Sequence, residues 1–222
     1  MATNGPRKID LVSAAGRVWV RLFIGDNDPG LALFDAAGTP RVLVMVDNSG
    51  PHLILFDAAM TFRARLRVAD AGLGLDIRSA AGEPQAGLDS DKNSACLNLV
   101  DAAGSFRAIL DVGMNEMHLN LYGETENLLA VLRVDDAEPT QELRDMGNRV
   151  RAALVLGEDN LDLFLHDAAS NLRASLGLGK DGGRLRLCNA AGKMRASLDV
   201  NKDSTSLILL DQEGRTVWPV PE

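Results

Sequence analysis

Cysteine and histidine residues recur at matching positions of a 22-residue period, and thiolate and imidazole groups are the usual ligands of zinc. Cys96 and His118 share one position, which His52 also occupies, and His166 and Cys188 share another. Each pair supplies two ligands, whereas a structural zinc site takes four. We therefore predict no metal site and no cofactor.

A second set of candidate ligands consists of aspartates in turn-like segments, because calcium binds loops rich in oxygen ligands. The glycine-rich nonapeptide of calcium-binding β-rolls is absent from the chain. We interpret these residues as members of solvated turns. They are Asp26, Asp28, Asp89, Asp91, Asp135, Asp136 and Asp159.

A column of six arginines is the most regular charged feature of the chain, and it could bind an anionic polymer. The alternative is a solvated strand face that discourages edge-to-edge pairing. Four aromatic side chains belong to the same nominally polar face and could pack on the arginine stems. The possible interaction surface comprises Trp19, Phe34, Arg41, Phe56, Arg63, Arg107, Tyr122, Arg151, Arg173 and Arg195.

Catalytic patterns are absent from the sequence. It contains no Ser-His-Asp order, no glycine-rich phosphate loop and no carboxylate pair at a defined site. The acidic residues fall in turns at the repeat period, as a structural role requires. The sequence predicts that the protein is not an enzyme.

The element that positions all these residues is a repeat of 22 residues, present about ten times without an insertion. Its clearest copy runs from Leu97 to Val112 and reads L-x-L-x-D-A-A-G-x-x-R-A-x-L-x-V. Apolar residues alternate within each copy, which is the period of a β-strand. Each repeat therefore predicts two strands and two tight turns, for example strands at 17–24 and 29–34, and no helix.

The Asp-Ala-Ala-Gly segment predicts the turn inside each hairpin, because Asp bonds its own backbone and Gly adopts a left-handed conformation. We expect a four-residue loop that places Leu99 opposite Phe106. Phe106 and Phe62 would then share the apolar face with the leucines. Leu110 and Leu121 should point into the core.

Two architectures satisfy this repeat: an antiparallel meander of hairpins and, as the alternative, a β-solenoid. In a solenoid, Arg41 and Arg63 would be like-charged neighbours, which is destabilising. The meander separates them by an intervening strand and is favoured. Its apolar face must then be covered by folding back or by other chains.

We expect a single continuous domain over residues 1–222, since the repeat phase survives a degenerate region at about 119–160. There, Gly123–Glu126 replaces the Asp-Ala-Ala-Gly turn, and Gln141 interrupts a leucine column. Two interpretations of this region remain open. One is sequence drift in a repeat that tolerates substitution, and the other is a bend, binding edge or hinge. Proline at the end of the chain predicts a C-terminal cap at 217–222.

Composition limits the classes of partner and the cellular locations that we expect for the protein. A net charge of −8 argues against nucleic-acid binding, and two cysteines do not form a disulfide framework. No apolar run is long enough to span a membrane, and no signal peptide is evident. The cytoplasm is the default location, with a phage-like or non-classically exported assembly as the alternative.

The repeat favours a structural protein, a building block of a homo-oligomeric rod, fibre or shell, with a trimer among the arrangements it allows. The alternative is a binding module whose polar strand face engages a glycan, an anionic polymer or a protein partner. Regular repeats without inserted loops favour the first hypothesis.

Overall fold

The computed structural model describes residues 7–25, 28–135 and 139–218, and every regular element in this part of the chain is a β-strand. Backbone contacts divide the chain into two units, Met1–Met114 and Asn115–Glu222. No helix in the described ranges is long and apolar enough to cross a membrane. The all-β prediction is confirmed. The prediction of one continuous domain stays a prediction.

Ten strands belong to each unit. Those of unit 1 are β1 (Arg7–Val12), β2 (Val18–Ile24), β3 (Pro29–Phe34), β4 (Pro40–Asp47), β5 (Gly50–Phe56), β6 (Phe62–Ala69), β7 (Gly72–Arg78), β8 (Pro84–Ser90), β9 (Ala95–Val100) and β10 (Phe106–Val112). Those of unit 2 are β11 (Glu116–Tyr122), β12 (Leu128–Asp135), β13 (Thr140–Arg144), β14 (Val150–Leu156), β15 (Asn160–His166), β16 (Leu172–Gly179), β17 (Gly182–Cys188), β18 (Met194–Asn201), β19 (Thr205–Leu210) and β20 (Thr216–Trp218).

Within each unit, every strand pairs antiparallel with its neighbours in sequence. This is the hairpin meander, and antiparallel pairing excludes the solenoid. Arg41 lies on β4 and Arg63 on β6, so β5 separates the two charges as expected. Strands β2 and β3 begin and end within one residue of the predicted bounds.

The turn inside each hairpin is one residue longer than predicted and is followed by a β-bulge. Asp101 N–H donates to the Ser105 carbonyl (2.9 Å), and Gly104 N–H donates to the Asp101 carbonyl (3.1 Å). Val100 therefore faces Phe106, and Leu99 faces Ala108. The predicted pairing of Leu99 with Phe106 is wrong.

The bulge places one extra residue on the second strand, at Arg107. It reverses the alternation, so Phe106 faces the same side of the sheet as Val100, opposite to Leu99 and Ala108. Phe62 is displaced in the same way, because it pairs with Phe56 while Ala64 pairs with Leu55. Both phenylalanines thus lie on the polar face, which corrects the predicted assignment.

Two apolar rows cross the strands on one face of each unit. In unit 1 the first row is Ile9, Leu22, Leu31, Val44, Leu53, Leu66, Leu75, Leu88, Leu97 and Leu110, and the second is Leu11, Val20, Leu33, Val42, Leu55, Ala64, Ile77, Ala86, Leu99 and Ala108. In unit 2 the first row is Leu119, Leu132, Gln141, Leu154, Leu163, Leu176, Leu185, Leu198 and Leu207, and the second is Leu121, Ala130, Leu143, Ala152, Leu165, Ala174, Leu187, Ala196, Leu209 and Trp218.

Nothing in the described part of the chain covers these rows, and only Ala32, which lies on the other face, is a buried apolar residue. Leu97 remains 37% exposed and Leu121 42% exposed, although both belong to these rows. The prediction that Leu121 points into a core is therefore wrong for a single copy. It lies on an open face.

The degenerate repeats keep the geometry of the regular ones. Gly123 N–H donates to the Asn127 carbonyl (2.8 Å), as Asp101 does to Ser105 in a regular turn. The next turn, from Asp145 to Arg149, closes in the same way at 2.9 Å. Drift in sequence at 119–160 is thus compatible with a preserved turn. Trp218 lies on β20, whereas residues 219–222 of the predicted cap lie outside the described residues.

Candidate functional site

The arginine column lies at the β-bulges, and its guanidinium groups bind the backbone of the next hairpin. Arg41 Nε donates to the Phe56 carbonyl and Arg63 Nε to the Arg78 carbonyl, both at 3.0 Å. In unit 2, Arg151 and Arg173 make the equivalent bonds, to the carbonyls of His166 (3.0 Å) and Cys188 (3.2 Å).

Each of these arginines also pairs with the aspartate of its own turn. The separations are 3.1 Å for Arg41 with Asp35, 3.5 Å for Arg63 with Asp57, 3.6 Å for Arg151 with Asp145 and 3.5 Å for Arg173 with Asp167. Arg107 Nε donates to Asp101 at 2.7 Å, and Arg195 donates to the Gln212 carbonyl at 3.3 Å. The column therefore connects neighbouring hairpins, and its charge is largely matched by carboxylates.

The aromatic members of the predicted surface lie on the polar face near the hairpin turns. Arg21 stacks over Phe34, with 5.5 Å from the guanidinium carbon to the ring centroid, and Arg17 stacks over Trp19 at 5.7 Å. Phe56 pairs across the strands with Phe62. Tyr122 pairs with Leu128 at the equivalent place in unit 2. Phe34 and Trp19 thus lie against guanidinium groups of neighbouring arginines.

The turn aspartates form a repeated electrostatic feature. In each turn one carboxylate oxygen accepts two backbone N–H groups, from Ala103 at 2.8 Å and Ser105 at 3.0 Å in the case of Asp101. The N–H four residues ahead is the largest influence that lowers the pKa of these carboxyl groups. The residues affected are Asp35, Asp57, Asp101, Asp145, Asp167 and Asp211.

A Ser-His-Asp group, which the sequence analysis missed, occurs at the β4–β5 turn. His52 is almost buried, and its Nε2 lies 3.0 Å from Ser49 Oγ and 3.1 Å from Asp47 Oδ1. The Ser49 hydroxyl, its N–H group and then His52 lower the pKa of Asp47 to about 2. Serine and aspartate both contact the same imidazole nitrogen, whereas a catalytic triad requires one on each nitrogen.

Cysteine and histidine do not converge in the described residues, where no group of three or more potential metal ligands is found. Burial raises the pKa of the Cys96 thiol to about 11, which disfavours the thiolate that metals bind. Asp89 pairs with Arg67 at 2.7 Å, and Asp91 accepts the N–H groups of its own loop. Asp26 and Asp136 lie outside the described residues.

An open groove of about 560 Å³ lies on unit 2. Gly177 lies between Asp162 and Arg184, its partners on the two neighbouring strands. Phe164 and Arg186 also line the groove. An aromatic ring beside carboxylate and guanidinium groups offers both stacking and hydrogen bonds to a polar ligand.

The paired strands and repeated turns define an all-β repeat protein of the antiparallel meander type, with one polar and one apolar face per unit. No protein-family model matches the chain. No curated protein matches it either.

Two solved structures are similar at a low level. The structure titled "Crystal Structure of TcdB2-TccC3-Cdc42" is 9% identical with a TM-score of 0.25, and the match covers 94% of this chain. This chain spans only 15% of the length of that chain. A functionally unknown protein from Desulfotomaculum acetoxidans DSM 771 is 11% identical with a TM-score of 0.16, and the match covers 96% of this chain and 85% of the other.

Proposed function

We propose that this protein is a non-catalytic structural building block that self-associates through its apolar sheet faces into a rod, fibre or shell. The observation that carries the proposal is the pair of uncovered apolar rows on each unit. Leu176, Leu185 and Leu198 in unit 2 remain 37%, 39% and 40% exposed. Contiguous apolar patches beyond a few hundred Å² mark interaction surfaces.

The total surface of a single copy supports the same conclusion. One copy exposes 14597 Å², whereas a folded monomer of 23.7 kDa exposes about 9,800 Å². The excess of about 4,800 Å² per copy is larger than the roughly 1,000–2,500 Å² that each partner of an obligate homodimer usually buries. Another copy of the same face is a suitable partner, because rows of leucine, valine and alanine can interdigitate with rows of the same composition.

The polar face, unlike the apolar face, shows no need for a partner. Its charges are paired across the strands, as with Arg65 and Asp76 at 2.7 Å and Arg21 and Asp10 at 2.8 Å. A face whose charges are already matched requires no partner to be stable in water. The apolar face is therefore the one we assign to contacts between copies.

A matched pair of variants on β16 tests the proposal. Leu176→Asp places a charge on the apolar face, whereas Ser175→Asp places one on the polar face opposite Arg186. We expect wild type and Ser175→Asp to form the same oligomer, and Leu176→Asp to dissociate or to lose its folded structure. Light scattering after size exclusion and far-ultraviolet circular dichroism provide the readouts. A monomeric wild type, or an unchanged oligomer in Leu176→Asp, contradicts the proposal.

A second candidate function rests on the groove around Gly177, which we propose as a site for a polar ligand such as a glycan. Gly177→Gln would place a side chain within the groove, against Asp162. The test is a calorimetric titration of an oligosaccharide panel into wild type and Gly177→Gln. Binding that the substitution abolishes supports a binding module, and absence of binding to wild type contradicts it.

A further inference from the structure

Gln141 is the single polar side chain in the two apolar rows of either unit, as far as the described residues extend. It lies on β13 between Leu132 and Leu154, in a row whose other described members are all leucine, isoleucine or valine. In one copy its side chain is exposed. On the polar face a glutamine would be unremarkable, but here it lies within the surface assigned to self-association.

Burial of this face against another copy would remove the Gln141 amide from water. A primary amide carries two donors and an acceptor, and a buried amide without partners is strongly destabilising. Leucine, valine and alanine side chains offer no hydrogen bond. Among the row side chains of another copy, only its Gln141 supplies both donor and acceptor.

We propose that Gln141 of one copy hydrogen-bonds Gln141 of the next, and that this contact fixes a parallel, in-register alignment of their unit 2 faces. The inference rests on the proposed self-association and deepens it. Single polar residues within apolar coiled-coil interfaces select register and oligomeric state in the same way. Every other described position of the first row of unit 2 is a leucine, so that row gives register no other basis of its own.

The position of β13 within unit 2 distinguishes parallel from antiparallel alignment. Two strands of the unit precede it and seven follow. An antiparallel arrangement with the two glutamines in contact would overlap only β11–β15 with the same strands of the other copy. The rows on β16–β20 would then lack a unit 2 partner. Parallel alignment covers all ten strands and also satisfies both amides.

Cysteine substitution along the Gln141 row tests the alignment. In a Cys96→Ser, Cys188→Ser background, Leu163→Cys faces another Leu163→Cys if the copies are parallel, and faces residue 119 if they are antiparallel about Gln141. Packed sheets lie about 10 Å apart, too far for a disulfide, so a short bismaleimide is the probe. We expect cross-linked copies from Leu163→Cys alone, and little product that joins Leu119→Cys to Leu163→Cys in a mixture of the two variants.

Gln141→Leu then tests the role of the amide, with Gln85→Leu as a control outside the apolar rows. We expect the oligomer to persist in Gln141→Leu while the Leu163→Cys product falls several-fold and mixed products appear. Gln85→Leu should leave the pattern unchanged. An oligomer whose pattern is indifferent to Gln141→Leu, or that never cross-links through Leu163→Cys alone, overturns the alignment without touching self-association. A monomer at every concentration refutes the proposed function itself.

Discussion

At the scale of single residues, the fourth position of the hairpin turn is the most demanding site of the repeat. Gly104 occupies it with a φ of 88°, but Met60 and Ser170 occupy it in other turns with a φ of 64°. A residue with a Cβ atom is strained in this left-handed region, and glycine is not. Equivalent turns of this protein thus hold glycine in some copies and a strained residue, such as Met60, in others.

Replacing Met60 by glycine should stabilise the protein. The substitution relieves strain of about 1 kcal/mol, and Met60 is 48% exposed, so little packing is lost. The reverse change, Gly104→Ala, introduces the same strain and should destabilise. Urea titration followed by circular dichroism measures both. Equal midpoints for wild type, Met60→Gly and Gly104→Ala would show that this position is unimportant.

The bulge arginines act through hydrogen-bond geometry as well as charge. Arg63→Lys keeps the charge near Asp57 but cannot bind Asp57 and the Arg78 carbonyl with a rigid fork. We expect a loss of about 1 kcal/mol, typical of one hydrogen bond. Arg186→Lys is the control, because the described part of the chain offers this guanidinium no hydrogen-bond acceptor. Similar denaturation midpoints for the two variants would contradict a structural role for Arg63.

At the scale of elements, the sequence predicted the strands and turns well because their signals are local. Alternating leucines and the Asp-Ala-Ala-Gly segment indicated hairpins with bounds close to β2 and β3. The bulge at Arg107 could not be predicted, because one extra residue leaves the alternation intact and only reverses its direction. Phe62 and Phe106 were consequently placed on the wrong face. Arg63 binds the Arg78 carbonyl from the equivalent bulge on β6.

The turn aspartates should make stability depend on acid pH. Their pKa values are lowered in the folded state, so their stabilisation is complete above the ordinary carboxyl pKa of about 4. It declines as the pH falls through the lowered values; Asp47, at the β4–β5 turn, adds to this with a pKa lowered to about 2. We expect the melting temperature to fall steadily between about pH 4 and pH 2. A flat profile across that range would contradict the contribution of these turns.

Asparagine at the turn position separates hydrogen bonding from charge. Asn189 already occupies the position in one turn and accepts the N–H groups of Ala191 and Lys193. Asp101→Asn should therefore retain the turn at neutral pH and lose its share of the acid sensitivity, whereas Asp101→Ala should be destabilised at both pH values. Thermal melts at pH 7 and pH 3 distinguish the three proteins.

At the scale of the whole molecule, the uncovered apolar rows predict that thermal stability depends on protein concentration. If copies cover one another, association contributes to folding free energy, and dilution removes that contribution. We expect the melting temperature to decrease as the protein is diluted a hundredfold. Differential scanning fluorimetry across the dilution series, with mass measured in parallel, provides the test. A constant melting temperature with monomeric mass throughout would contradict obligate association.

The pairing of each strand with its neighbours in sequence also determines how the chain can fold and change length. Paired residues in the described hairpins are close along the chain, so contact order is low and folding can nucleate at any hairpin. Each hairpin presents the next one with the same edge at the same register. Removing or duplicating a 22-residue segment therefore leaves every remaining junction intact, and the length of the sheet is a variable that gene duplication can alter in steps of two strands.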